Sequence, residues 1–237
     1  MEGVEITLQL AFFTVLFGSL LGLVVAVCRR TRLLPLRWLM NAYVAFIRGT
    51  PLLVQVLLVV YGLPQLGIRL PRMTLCIIAL VINSGAYMAE LIRAGLQSVE
   101  KGQVEAAESL GMSSGQTMLY IILPQAVKVT LPAMGNEFVA IIKESSILYA
   151  VGVYELTYQA YKLASVNYYY IETMIVAALI YFVLTYVATK LLGLLERRMR
   201  RADSCDKRNW TAQKGPSAAP GAGARAPEPG DNGAASV

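Results

Sequence analysis

Long apolar runs separated by short charged segments dominate the chain. Ile6 to Cys28 runs 23 residues without a charge, enough to cross a bilayer core as a helix. Pro51 to Ile68 adds 18 such residues, Met73 to Ala89 adds 17, and Thr173 to Thr189 another 17. Val129 to Val151 is apolar except for Glu137, Lys143 and Glu144. The pattern predicts an all-α integral membrane protein with five transmembrane helices. The first run lacks a basic flank and is too long for a signal-peptide core, so it reads as a retained span. Within it, Gly18 and Gly22 form a Gly-x3-Gly pair that permits close helix approach; packing within the chain is the simpler reading, a dimer seam the other. No internal repeat is visible, which weakens a secondary carrier built from inverted halves.

The charges between the runs orient them. Arg29, Arg30, Arg32, Arg37 and Arg48 follow the first run, Arg93, Lys101 and Lys128 follow the third, and Arg197, Arg198, Arg200 and Arg201 follow the last. The opposite side holds only Arg69, Arg72 and Lys162. The positive-inside rule then puts the N-terminus outside and the C-terminus in the cytoplasm. Residues 1–201 form the expected transmembrane domain. From Ala202 the composition changes: Ala, Gly and Pro make up half of the last 36 residues, which predicts a disordered cytoplasmic tail over 202–237.

Composition narrows the function. Of 237 residues, 15% are charged, with a net charge of +6, four units of it carried by residues 197–237. That balance reads as a cytoplasmic flank on anionic lipid and gives no support for nucleic acid. There is no histidine, and all three aspartates (Asp203, Asp206, Asp231) lie in the tail, which argues against metal-assisted or triad chemistry. Cys28, Cys76 and Cys205 are too few and too scattered for a disulfide framework. An enzyme acting alone is disfavoured.

The segment between the third and fourth runs is the most informative. Val104, Ala107 and Leu110 recur every three positions, an apolar stripe opposite Glu105 and Glu108. Gly111 suits a left-handed C-cap. Ser113 to Gln116 reads as a capping box opening a second short helix, which Pro124 stops or bends. One reading is a surface hairpin joining two spans; the other is a rigid knob offered to a cytoplasmic partner. Gly111-Met112-Ser113-Ser114-Gly115 also spells a nucleophile-elbow pattern, but helix-like sequence precedes it and no histidine exists to serve it. A Walker A loop is missing as well, so an ATP motor would be another chain.

Glu105-Ala106-Ala107-x3-Gly111-x9-Ile121-x-Leu123-Pro124 resembles the signature cytoplasmic loop of ATP-binding-cassette importer permeases, with seven positions matched across 20 residues. Phe46-Ile47-Arg48-Gly49-Thr50-Pro51-Leu52-Leu53, Asn83-Ser84-Gly85-Ala86-Tyr87-Met88-Ala89-Glu90 and Lys143-Glu144-Ser145-Ser146 look like the polar amino acid subfamily. The resemblance covers Ile6 to Arg198. It implies the type I importer permease fold in a bacterial inner membrane. It further implies a second permease (a copy or a paralogue), two ATPase subunits that bind ATP and Mg²⁺, and an extracytoplasmic binding protein. This chain itself would hold no cofactor. The Glu105 to Gly111 helix, with Leu110, would seat in the ATPase. Two features depart from the family pattern: the first span begins almost at Met1, and the Ala/Gly/Pro-rich tail is foreign to it.

Polar residues inside the spans mark the candidate path. A charge at a bilayer centre costs about 2.5–3.5 kcal/mol on insertion scales, so it must face a partner or a cavity. Glu137 and Glu144 are seven apart on one face of the fourth span, with Asn136 and Lys143 on the neighbouring face. They either pair between helices or line a route for a zwitterion, glutamate toward its ammonium and lysine toward its carboxylate. Asn83, Ser84 and Tyr87 on the third span, and Ser145 and Ser146 at the end of the fourth, complete the candidate substrate pathway. Glu90 is expected to pair with Arg93 at i,i+3. Thr50-Pro51 reads as an N-cap followed by proline at N1, and Arg48 as an interfacial anchor or a cytoplasmic gate with them. Outside, Tyr154, Tyr158 and Tyr161 are expected on one helical face with Tyr168 to Tyr170 following, either an interfacial belt or a docking surface. The chain therefore reads as the permease subunit of an ATP-driven importer of polar amino acids. A self-contained channel or secondary carrier is the alternative.

Overall fold

The computed structural model describes residues 2–213, with side chains described as far as residue 197. The chain divides into two compact units, Met1–Glu196 and Arg197–Val237. Among the described residues there is no strand. The helices are α1 Glu2–Cys28, α2 Leu34–Gly49, α3 Leu52–Gln65, α4 Arg72–Gln97, α5 Lys101–Ser109, α6 Ser114–Val151, α7 Leu156–Asn167 and α8 Tyr170–Gln213. Four (α1, α4, α6 and α8) are long and apolar enough to cross a membrane. A fifth crossing exists if α2 and α3, bent by 112° at their junction, count as one broken span.

The α1–α4 pair is the centre of the first unit. Glycine makes it possible: a Cβ on Gly22 would lie 2.5 Å from Met88 Cβ, and one on Gly18 would lie 2.9 Å from Ser84 Oγ. The Gly-x3-Gly pair is thus a packing contact inside the chain. Leu10, Leu80 and Leu148 anchor a core toward the outer side, while Val25, Val44, Ala86 and Ala89 form a smaller one toward the cytoplasm.

Three sequence expectations need correction. The second span is shorter than Pro51 to Ile68. Pro51 forces Thr50 into the extended region (φ −120°, ψ 149°), which ends α2. Thr50 is therefore the C-cap of α2, and Pro51 takes the N-cap of α3 instead of N1. Second, of the two outcomes expected at Pro124, a stop or a bend, the stop does not occur, and α6 runs through the proline. A π turn at Met118–Ile122 precedes the proline, just as a π turn at Leu58–Gly62 precedes Pro64 in α3. A proline ring clashes with the carbonyl four residues back, and each π turn widens the ladder where that carbonyl sits. Third, α8 continues to Gln213, past the expected boundary at residue 202, and the rest of the tail lies outside the described residues.

Candidate functional site

The cytoplasmic hairpin is capped on both sides of its turn. Gly111 takes φ +81°, the left-handed conformation expected of it. Its N–H donates to Glu108 O at 2.9 Å and that of Met112 to Ala107 O at 3.1 Å, the double closure of a Schellman motif. Ser113 then caps α6 as half of a capping box: Gln116 N–H donates to its hydroxyl, and its own N–H donates to Gln116 Oε1 at 2.9 Å. Gln125 pins the returning helix of the hairpin, its amide donating to Ile121 O at 2.9 Å and to Gln103 Oε1 at 2.7 Å.

The apolar stripe is only partly as expected. Ala107 is buried, but Leu110 lies past the helix end as the C-cap and is 84% exposed. Glu105, Ala106, Leu123 and Pro124 are exposed and Ile121 is half-buried.

A polar line runs along α4. Asn83, Tyr87 and Glu90 share one face at i, i+4 and i+7. Asn83 is buried and donates to Gln55 Oε1 at 2.9 Å. The Gln55 amide in turn donates to Ile47 O at 2.7 Å, Thr50 O at 3.1 Å and Thr50 Oγ1 at 2.8 Å. One buried amide pair thereby ties the α2–α3 bend to α4. Arg48 lies over the Tyr87 ring, 5.5 Å from its centroid, and 3.7 Å from Glu90. Glu90 also binds Arg93 at 2.7 Å, the expected i,i+3 pair, and accepts from Arg29 just past the end of α1.

The fourth-span residues are arranged differently. Asn136, Lys143 and Glu144 are exposed and Glu137 is half-buried, with Glu144 and Ser84 as its polar neighbours. Ser84 is fully buried against Gly18. Ser145 is buried, its hydroxyl donating to Ile142 O at 2.8 Å, and Ser146 is half-buried. The candidate pathway residues thus separate: Asn83, Ser84 and Ser145 are enclosed within the chain, Tyr87 and Glu90 lie beside Arg48, and Asn136, Lys143 and Glu144 are open on α6.

At the outer side, Glu155 is completely buried at the N-cap of α7. It accepts from Thr157 N–H at 2.8 Å, Tyr158 N–H at 2.7 Å and the Tyr181 hydroxyl at 2.7 Å. Burial raises its pKa above the ordinary glutamate value, and these donors pull it partly back. The tyrosines do not share one face. Tyr154 precedes α7 and pairs edge-on with Tyr158 at 4.7 Å, while Tyr161 sits between Tyr149 and Tyr170.

Sequence reasoning missed Gln55, Arg29 and Glu155 as site residues. Gln55 did carry a signal, as an amide inside an apolar run. Arg29 was counted only as a cytoplasmic charge, and Glu155 stands where an acidic N-cap is favoured.

Residues 18–201 match the family described as the binding-protein-dependent transport system inner membrane component. The chain belongs to that family. Its arginine transport system permease protein ArtQ from Bacillus subtilis is 38% identical over 204 residues, 86% of this chain and 93% of that protein. The "Probable glutamine ABC transporter permease protein GlnM" of the same organism is 45% identical over 202 residues, 85% and 94% of the two chains. Among solved structures, an amino acid ABC transporter crystallised with histidines matches with a TM-score of 0.80 and 49% identity, covering 83% of this chain and 92% of the other. The family's inner-membrane location agrees with the apolar helices of the fold.

Proposed function

We infer that this chain is the membrane-spanning permease subunit of an ATP-binding-cassette importer that takes up polar amino acids. The family match supports the permease reading, and the arginine and glutamine named for its relatives support the substrate class. The observation that carries it is the double-capped cytoplasmic hairpin with Leu110 exposed at its tip. Such a knob has both helix ends satisfied, so it holds its shape while it transmits force. It would seat in one of two partner ATPases, which bind ATP and Mg²⁺ and whose closure switches the permease between inward- and outward-facing states. An extracytoplasmic binding protein would deliver the amino acid. A second permease, a copy or a paralogue, would close the path on the α6 side, where Glu137, Lys143 and Glu144 meet the zwitterion. Arg48, Thr50 and Pro51, at the bend, would form the cytoplasmic gate with Tyr87 and Glu90. Residues 1–201 would form the permease domain, with α8 running on to Gln213 ahead of the Ala/Gly/Pro-rich tail.

The test is ATP-driven uptake by the assembled importer in vesicles, wild type against Gly111→Val. The left-handed conformation costs a non-glycine residue about 1–2 kcal/mol, more for a β-branched one. ATP hydrolysis is expected to continue while uptake of arginine or glutamine falls to background. Unchanged uptake would remove the coupling role from the hairpin. Passive flux through the chain alone would replace the importer by a channel.

A further inference from the structure

Two cavities lie end to end between α1, α4 and α6. One, of about 450 Å³, is lined by Arg29, Arg30, Arg93, Asn41 and Gln97 over a floor of Ala26, Leu96 and Ile122. The other, of about 260 Å³, continues from Leu96 and is walled by Leu20, Leu23, Ile92, Val127 and Leu131. Leu20, Leu23 and Ala26 on α1 lead to Arg29 just past its end; on α4 Ile92 and Leu96 alternate with Arg93 and Gln97; on α6 Leu131, Val127 and Ile122 keep their wall apolar.

The two hydroxyls on the groove wall are withdrawn from it. Ser19 donates to Val15 O at 2.5 Å, and Thr130 is pressed against Gly95, where an added Cβ would meet its Oγ1 at 2.0 Å. The groove is therefore apolar in effect.

The basic end keeps its charge. Glu90 is shared among Arg29, Arg93 and, at 3.7 Å, Arg48, so this one carboxylate does not offset the three guanidiniums of Arg29, Arg30 and Arg93 that line the pocket, and it stays positive. Asn41 turns its oxygen to Arg29 at 2.6 Å and Gln97 turns its own to Arg93 at 2.5 Å. Both amides thus keep their NH₂ donors for something else. The positive-inside rule puts this end at the cytoplasmic surface of the bilayer.

We propose that this composite site holds one anionic phospholipid of the cytoplasmic leaflet, its phosphate against Arg29, Arg30 and Arg93 and an acyl chain in the α1–α4–α6 groove. A free phosphate would use the basic pocket and leave the groove empty. A second permease would cover the groove without needing an anion. Basic pockets between spanning helices on the cytoplasmic side suit anionic headgroups in general, at about 1 kcal/mol per basic residue, or about fivefold in binding. The lipid would also touch Ile122 and, through the groove, Leu123, next to the hairpin.

The importer is purified with its partner subunits after reconstitution in mixed phosphatidylglycerol and phosphatidylcholine, and native mass spectrometry counts the lipids retained. Phosphatidylglycerol is expected to be retained over phosphatidylcholine by about fivefold or more. Arg30→Gln should cut that preference about fivefold. Leu20→Trp, which fills the groove from an exposed position, should lower retention of phosphatidylglycerol while inorganic phosphate in the buffer does not displace it. Equal retention of the two lipids, displacement by phosphate, or wild-type retention in Leu20→Trp would each overturn the proposal. Retention of neither lipid by the wild type would do so too, and would assign the groove to the second permease.

Discussion

Helices α4 and α6 both carry polar groups through the membrane, and they treat them in opposite ways. The most apolar stretch of α4 is 56% buried inside the chain, and that of α6 only 11%. On α4, Asn83 is bonded to Gln55 and Glu90 to Arg29 and Arg93, so these two side chains are satisfied within one subunit. On α6, Asn136, Lys143 and Glu144 face outward. A hydrocarbon environment would penalise such groups. The difference teaches that α4 belongs to the folding core of the permease, whereas α6 presents a face whose counterpart is a cavity or another subunit.

The contrast breaks most sharply at glycine. Gly22→Leu places a side chain where even a Cβ would lie 2.5 Å from Met88 Cβ and 2.9 Å from the Ala89 nitrogen. Overpacking of this kind costs about 1–3 kcal/mol or more, and here it must part α1 from α4. Little monodisperse protein is expected in size-exclusion chromatography. Gly193→Leu on α8, where an added Cβ meets nothing within 4 Å, should leave the chain folded. Should Gly193→Leu instead dissociate the proposed permease pair, that face of α8 would be the subunit contact.

The amide pair comes next. Asn83→Ala leaves the buried Gln55 oxygen without its donor, at a cost of about 1–3 kcal/mol. A lowered thermal midpoint is expected, together with loosening of the α2–α3 bend that Gln55 holds through Ile47 and Thr50. An unchanged midpoint would show that the bend is held by Pro51 alone.

Glu155 gives a pH-dependent test on the outer side. Burial raises its folded pKa, so the folded chain binds the proton more tightly than the unfolded chain does. The stabilisation from that proton is full below the ordinary glutamate value of about 4.3 and is lost as pH rises through the folded value. Thermal unfolding of the wild type should therefore shift downward with rising pH over that window, and the shift should vanish in Glu155→Gln. A stability that rises with pH over the same window would mean that the donors from Thr157, Tyr158 and Tyr181 outweigh burial.

How much of this was legible beforehand depends on sequence distance. The spans, the left-handed Gly111, the Ser113 capping box and the Glu90–Arg93 pair are all written within a few residues, where helical periodicity and capping chemistry suffice. The Gln55–Asn83 pair joins residues 28 apart and the Arg29–Glu90 pair residues 61 apart, and no local pattern encodes either meeting. The π turns lie between these cases. Pro124 announced a disturbance and Pro64 lay unremarked inside an apolar run, but whether a helix breaks or widens to absorb a proline is not set by the proline alone. In both places it widened, and the sequence Leu-Pro-Gln follows each π turn.

The smallest expected effect on stability sharpens the comparison furthest. Lys143→Gln removes a charge from the open face of α6, where the side chain is exposed. Substitutions at such positions usually change stability by about 0.5 kcal/mol or less. If α6 lines the path, the variant should fold and assemble with a wild-type thermal midpoint, yet carry amino acid more slowly in vesicles. The reason is that the cation facing the substrate carboxylate has gone while the glutamates facing its ammonium remain. Arg93→Gln on α4 should show the reverse order, losing stability through Glu90 before it loses transport. Uptake that is normal in Lys143→Gln but reduced in Arg93→Gln, with both folded, would exchange the roles of the two helices. The enclosed polar line of α4 would then be the route, and the α6 stripe only a seam.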